Sequence, residues 1–190
     1  FWTEYQVGLY FGVQRIALFI GTMALAIEGM LLPAISSLHS NRKDKEITTL
    51  VHDAERYVAM VCIPLVAMTI VWSSEIILVF ISKEFLSASN ILKILALVAL
   101  VRVLNRPWSV ALRGSDRPDL TSILSIFSSI LSIILMLILV PKRIPQLGLE
   151  NLFGLGGEGA AYAVLISEIL VGISLRILCC LLYTSDAADE

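Results

Sequence analysis

Residues 7–33 read VGLYFGVQRIALFIGTMALAIEGMLLP, and no charged side chain falls between Ile16 and Ile27. At a rise of ~1.5 Å per residue, such a stretch is long enough as a helix to cross the ~30 Å hydrocarbon core of a bilayer with some tilt. It is too long and too evenly apolar for the core helix of a water-soluble domain. Yet it carries Arg15, shortly after Gly8 and Gly12, and Glu28 near its other end. A membrane helix with an arginine inside it sets both the class of the chain and the first functional question.

The rest of the chain agrees with that class. Hydrophobic residues make up 57% of the 190 and charged residues 16%, with a mean hydropathy of +0.86, well away from the ~25% charged content of an average soluble domain. Apolar residues gather into about five runs of spanning length, at residues 7–32, 54–81, 90–112, 121–140 and 159–179. The short alternating segments of an outer-membrane barrel are missing from the pattern, so the expected fold is an all-α integral membrane bundle.

Phe1 reads as the interior of a longer chain, because neither an initiator Met nor the basic start of a signal peptide precedes the first apolar run. Residues 180–190, CLLYTSDAADE, resemble the translation of a transposon mosaic-end adapter used in sequencing libraries, and are expected to be non-native. Setting them aside removes Asp186, Asp189 and Glu190, which leaves 13 acidic against 14 basic residues and turns the net charge from −2 to +1. The three cysteines, Cys62, Cys179 and Cys180, show no disulfide or metal spacing.

Taken in order, helix one is expected to stop at Pro33, followed by Ser36 and Ser37. The polar stretch AISSLHSNRKDKEITTLVHDAER (34–56) reads as a solvated connection with an interfacial helix. His39 and His52 within it lack ligand spacing, so no metal site is expected. Pro64 kinks helix two. In helix three, Arg102 and Arg106 are followed by Pro107, Trp108 and Arg113. At 100° per residue, Arg106 lies about 40° and Arg113 about 20° from Arg102 around the axis, on one stripe with Ser109. Pro107 is expected to rotate the lower end of that stripe. Ser122, Ser125, Ser129 and Ser132 share one face of helix four, read as a small-residue packing surface or as a wet, cavity-lining one. The glycine-rich connection 144–158 leads to helix five, which opens with Gly159, Ala160 and Ala161, carries Glu168 deep in the span and Arg176 two turns later. Glu168 and Arg102 are a candidate pair between helices.

The first and third connections hold six basic residues (Arg42, Lys43, Lys45, Arg56, Arg113, Arg117), against three or four for the second and fourth. By the positive-inside rule the first and third face the cytoplasm, so helix three runs from outside inward.

Several stretches in this order resemble the multidrug/oligosaccharidyl-lipid/polysaccharide exporter superfamily, and within it the polysaccharide-biosynthesis and O-antigen flippase branch. They are GLYFGVQRIALFIGTMALAIEGMLLPAISSL, the proline in CIPLVAM, FLSASNILKILALVALVRVLNRPWSVALRGSDRPDL, and GEGAAYAVLISEIL. The resemblance covers about residues 7–177. It implies two six-helix lobes around a central cavity, with this chain similar to the second through sixth helices of the second lobe, a first lobe as partner, and a multi-pass place in a bacterial or archaeal plasma membrane. It also implies a cavity-facing arginine at the position of Arg15.

The expected function is therefore a flippase for a polyprenyl-diphosphate-linked oligosaccharide, with Arg15, Arg102 and Arg106 as substrate-binding residues. Arginine matches phosphate oxygens with a planar, permanently charged fork, and an arginine at mid-membrane costs ~2.5–3.5 kcal/mol on insertion scales, so several without a role would be unexpected. The alternatives are a cation-coupled drug exporter of the same superfamily, resting on Glu28 and Glu168, and a non-transporting membrane subunit in which these charges only pair. The chain has no nucleophile elbow, phosphate loop or paired catalytic carboxylates, so no enzymatic activity, cofactor or nucleic-acid partner is expected.

Overall fold

A computed structural model of the chain describes residues 4–141 and 153–185. These form α1 (Glu4–Ser40), α2 (Asp44–Val71), α3 (Ser73–Phe80), a 3-10 turn at Lys83–Ala88, α4 (Ser89–Gly114), α5 (Pro118–Leu139) and α6 (Gly156–Ser185), with no strand among the described residues. Four helical stretches are long and apolar enough to cross a membrane, and α1 makes a fifth if its halves Val7–Thr22 and Ile27–Ser40, bent by 42°, count as one span. At the bend the Thr22 hydroxyl donates to the Phe19 carbonyl at 2.7 Å, a back-bond that bends helices, beside the flexible Gly21.

Helix α4 is the centre of the bundle and packs against α1, α2, α5 and α6. Leu9, Val13 and Ala17 of α1 share one apolar cluster with Leu92, Leu95 and Val98 of α4 and Ala160 and Ala161 of α6. Leu31 and Ile35 of α1 share another with Val110, Ala111 and Leu112 of α4 and Val171 and Leu175 of α6. Early residues meet early residues and late meet late, so α1, α4 and α6 run parallel. Between the two clusters these helices carry Glu28, Arg102, Asn105, Arg106 and Glu168: a polar layer closed above and below by apolar packing.

Several boundaries differ from the sequence reading. Pro33 lies inside α1, which continues to Ser40. A proline removes one helical hydrogen bond, but the turn beyond it carries the fully buried Ile35, seated on Gly114 so closely that a Cβ there would come within 2.6 Å of it. Packing outweighs the broken bond. We expect Pro33→Ala to raise the midpoint of thermal unfolding in detergent, by up to ~3 kcal/mol of stability, the propensity difference between the two residues. A fall would mean that the proline's geometry is needed to place Ile35.

The stretch 34–56 is largely solvated, as expected, but it is a tight helix–turn–helix and not a loop with a separate interfacial helix. The turn is closed by Arg42 at φ 56° and by Lys43 N–H donating to the Leu38 carbonyl at 3.0 Å, and α2 already begins at Asp44. Ile47, Val51 and Val58 are buried, on an apolar stripe at helical spacing that the surrounding charges masked. The expected second helix is divided at Trp72 into α2 and α3, with Pro64 inside α2. Helix α4 passes through Pro107 unbroken.

Of the four serines on one face of α5, three are not packed between helices while Ser132 is half-buried, and Ser125 borders a polar cavity, as the wet alternative expects. Ser122, Ser125 and Ser129 are exposed and donate to the carbonyls of Pro118, Thr121 and Ser125 in their own helix. The α6 contact does use the predicted small residues: a Cβ on Gly159 would lie 2.7 Å from the Leu139 carbonyl oxygen, and Ala160 and Ala161 are buried. Gly154 (φ 63°) and Gly156 (φ 55°) supply the left-handed backbone before α6. Most of the glycine-rich connection, residues 142–152, and residues 186–190 of the adapter-like tail lie outside the described residues.

Candidate functional site

The polar layer is organised by α4. The Arg102 Nε donates to Glu168 Oε1 of α6 at 2.8 Å. One turn on, Arg106 Nη1 donates to Glu28 Oε2 of α1 at 3.0 Å, and Arg113 Nη2 donates to the other oxygen of Glu28 at 2.7 Å. Glu28 thus bridges two guanidinia seven residues apart, which is possible because two full turns return them to one face.

Behind this face lies a second network. Asn105, 6% exposed, donates to the Glu168 backbone carbonyl at 3.2 Å and accepts from Arg176 Nη1 of α6 at 3.0 Å. Arg176 also pairs with Glu55 of α2, and Glu55 accepts from the Trp108 indole at 2.9 Å. The guanidinium of Arg176 stands 5.9 Å from the centroid of the Trp108 ring, and His52 meets the same ring edge-on at 5.0 Å. Asn105 reaches α6 because it rests on Gly172, where a Cβ would lie 2.4 Å from its Oδ1.

A cavity of about 240 Å³ opens against the first face, lined by Arg102, Asn105, Arg106 and Ser109 of α4, Ser125 of α5 and Glu168 of α6. The side chains of Arg102 and Arg106 are 44% and 45% exposed, whereas Glu168 and Glu28 are each 19% exposed. The two guanidinia are thus more open than their carboxylate partners, of which Glu168 also borders the cavity and Glu28 does not. Across both networks four guanidinia (Arg102, Arg106, Arg113, Arg176) meet three carboxylates (Glu28, Glu55, Glu168). One positive charge is left over, which suits an anion.

Of the residues singled out in the sequence, Arg102, Arg106 and Glu168 meet at this cavity, and Glu28 joins them through Arg106. Arg15 is exposed, lines neither this cavity nor the smaller one beside Arg102, and has no ion-pair partner among the described residues. Sequence reasoning did not find Asn105, Glu55 or the role of Arg176. The available signal was the i, i+3 spacing of Asn105 and Trp108, two hydrogen-bonding side chains on one face of an apolar helix. Among known proteins, the MatE family model matches residues 5–138. No curated protein and no solved structure matches the chain.

Proposed function

The chain belongs to the MatE family, a family of membrane exporters, and from that premise we propose that it forms the anion-binding wall of a flippase for a polyprenyl-diphosphate-linked oligosaccharide in a bacterial or archaeal plasma membrane. What carries the reading is the charge and exposure at the cavity: two guanidinia and one carboxylate, Glu168, line it, and the guanidinia are the more exposed groups. A cationic drug would meet arginines first, with Coulomb repulsion strengthened by the apolar surroundings. A diphosphate would meet two planar donor forks one helical turn apart, which suits its two phosphate groups.

Arg102 and Arg106 are the proposed diphosphate contacts, with Arg15 as a further cation reached from another face of α1. In the orientation set by the basic connections, α4 runs inward, so the anion enters from the cytoplasmic side past Arg113 and Arg106 towards Arg102. A first lobe facing this wall is the proposed partner that completes the pathway, and alternating access around the midplane requires it.

The test is ligand binding by the chain in nanodiscs of zwitterionic lipid. A soluble prenyl diphosphate is expected to bind, inorganic diphosphate to compete, and the affinity to fall as salt screens the guanidinia. Tetraphenylphosphonium, a lipophilic cation, is expected not to bind. The reverse ranking would assign the cavity to a cationic drug exporter.

A further inference from the structure

Arg102 borders two cavities. Besides the polar one, a slot of about 80 Å³ lies between α1, α4 and α6, with Ala17, Gly21, Leu95, Val98 and Val164 among its walls and Arg102 also lining it. Tyr10 and Gln14 of α1 add its other polar atoms. Leu18, half-exposed, stands at the rim. The α1 residues of the slot recur at i, i+4, i+7, i+8 and i+11, so they form one stripe, and Arg15 lies roughly 115° around the helix from it.

We propose that this slot holds the first isoprenoid unit of the substrate, the one attached directly to the diphosphate. The inference rests on the reading of the polar cavity as a diphosphate site. Arg102 would then mark the join of an amphiphile: phosphate at the guanidinium, sugar in the polar cavity with Asn105, Ser109 and Ser125, hydrocarbon in the slot. The chemistry separates this occupant from an ordinary bilayer lipid. In a prenyl diphosphate, carbon begins at the phosphate ester oxygen and carries a methyl branch two atoms later. In a phospholipid, a glycerol bearing two acyl chains intervenes, a branch point bulkier than a slot of this size takes beside Arg102. The small volume fits about one five-carbon unit, with the remaining isoprenoids left to the bilayer.

Gly21 provides the test, because a Cβ there meets no atom within 4 Å. The Cβ of Gly21→Leu enters open space and the larger side chain occupies the slot; because Gly21 lies beside the bend of α1, thermal unfolding is measured with binding. Gly29 has equally open surroundings and lines neither cavity, so Gly29→Leu is the control. Binding of geranyl diphosphate and of inorganic diphosphate is measured in nanodiscs for each variant. Gly21→Leu is expected to weaken geranyl diphosphate by about tenfold, the worth of roughly two buried methylene groups, and to leave inorganic diphosphate unchanged. Gly29→Leu should change neither. Leu18→Gln, at the exposed rim, should weaken geranyl diphosphate in the same sense even if Gly21→Leu folds poorly. If both slot variants bind geranyl diphosphate as the parent chain does, or lose inorganic diphosphate equally, the slot is not an isoprenoid subsite. If phosphatidic acid competes as well as geranyl diphosphate, the slot takes common lipid chains and the proposal falls. If the unmodified chain binds neither diphosphate, it is the proposed function that fails.

Discussion

Replacing Arg102 by alanine is expected to lower prenyl diphosphate affinity by between about tenfold and a hundredfold, the range set by losing a charge-assisted hydrogen bond of ~1.5–3 kcal/mol. Arg102→Lys should recover only part of it, because lysine keeps the charge and loses the fork. The substitution also leaves Glu168, itself only 19% exposed, without its partner, and removing one member of such a pair destabilises by itself. Arg102→Ala together with Glu168→Ala separates the effects. If the double variant unfolds like the parent chain and still does not bind, Arg102 is a ligand contact. If Arg102→Ala alone binds normally, or if the double variant regains both folding and binding, the pair is structural and the diphosphate site lies elsewhere. Binding isotherms alongside thermal unfolding in detergent decide among these outcomes.

The second large effect is expected at Gly172. A methyl group there would lie 2.4 Å from Asn105 Oδ1 and 2.6 Å from its Nδ2. Asn105 can yield only by giving up its bond to the Glu168 carbonyl and its bond from Arg176, and at 6% exposure it has little access to replacements. Overpacking of ~1–3 kcal/mol and a buried amide left unsatisfied, another ~1–3 kcal/mol, put the loss for Gly172→Ala at several kcal/mol in all. Asn105→Ala removes the obstruction, so Gly172→Ala with Asn105→Ala should be more stable than the sum of the single changes predicts, as contacting residues in one network are non-additive. Thermal unfolding of the four chains in detergent measures this. A Gly172→Ala chain as stable as its parent would show that the close seat of α4 on α6 contributes little.

The contrast between Arg102 and Arg176 shows how much of the site was legible beforehand. Arg102 and Glu168 were recognisable as partners because each is a deep charge in an otherwise apolar helix, and a membrane interior forces such charges together. Arg176 satisfied the same criterion, but its partner Glu55 sat in a stretch dense with charge that read as a solvated connection. The period of Ile47, Val51 and Val58 was the evidence of a helix there, and Asp44, Lys45, Glu46 and Asp53 obscured it. Glu28 was visible as a carboxylate near the end of an apolar helix, yet its bridge from Arg106 to Arg113 depends on α1 running parallel to α4 with its second half level with the end of α4.

Hydropathy along the chain determined the all-α membrane class and the approximate spans, because burying roughly twenty residues in hydrocarbon demands an apolar, internally hydrogen-bonded helix whatever its neighbours are. Helical periodicity likewise placed Arg102, Arg106, Ser109 and Arg113 on one stripe, since that angle depends on α4 alone. Tertiary structure decided which helix each stripe faces, and with it which charges are covered and which are open. Glu28 and Glu168 are less exposed than their arginines, Arg15 lines neither cavity, and α1 passes through Pro33, all because side chains on separate helices compete for the same contacts. Those competitions are settled by distances between helices, such as the close approach permitted at Gly114 and Gly172, which residue order along one helix does not encode.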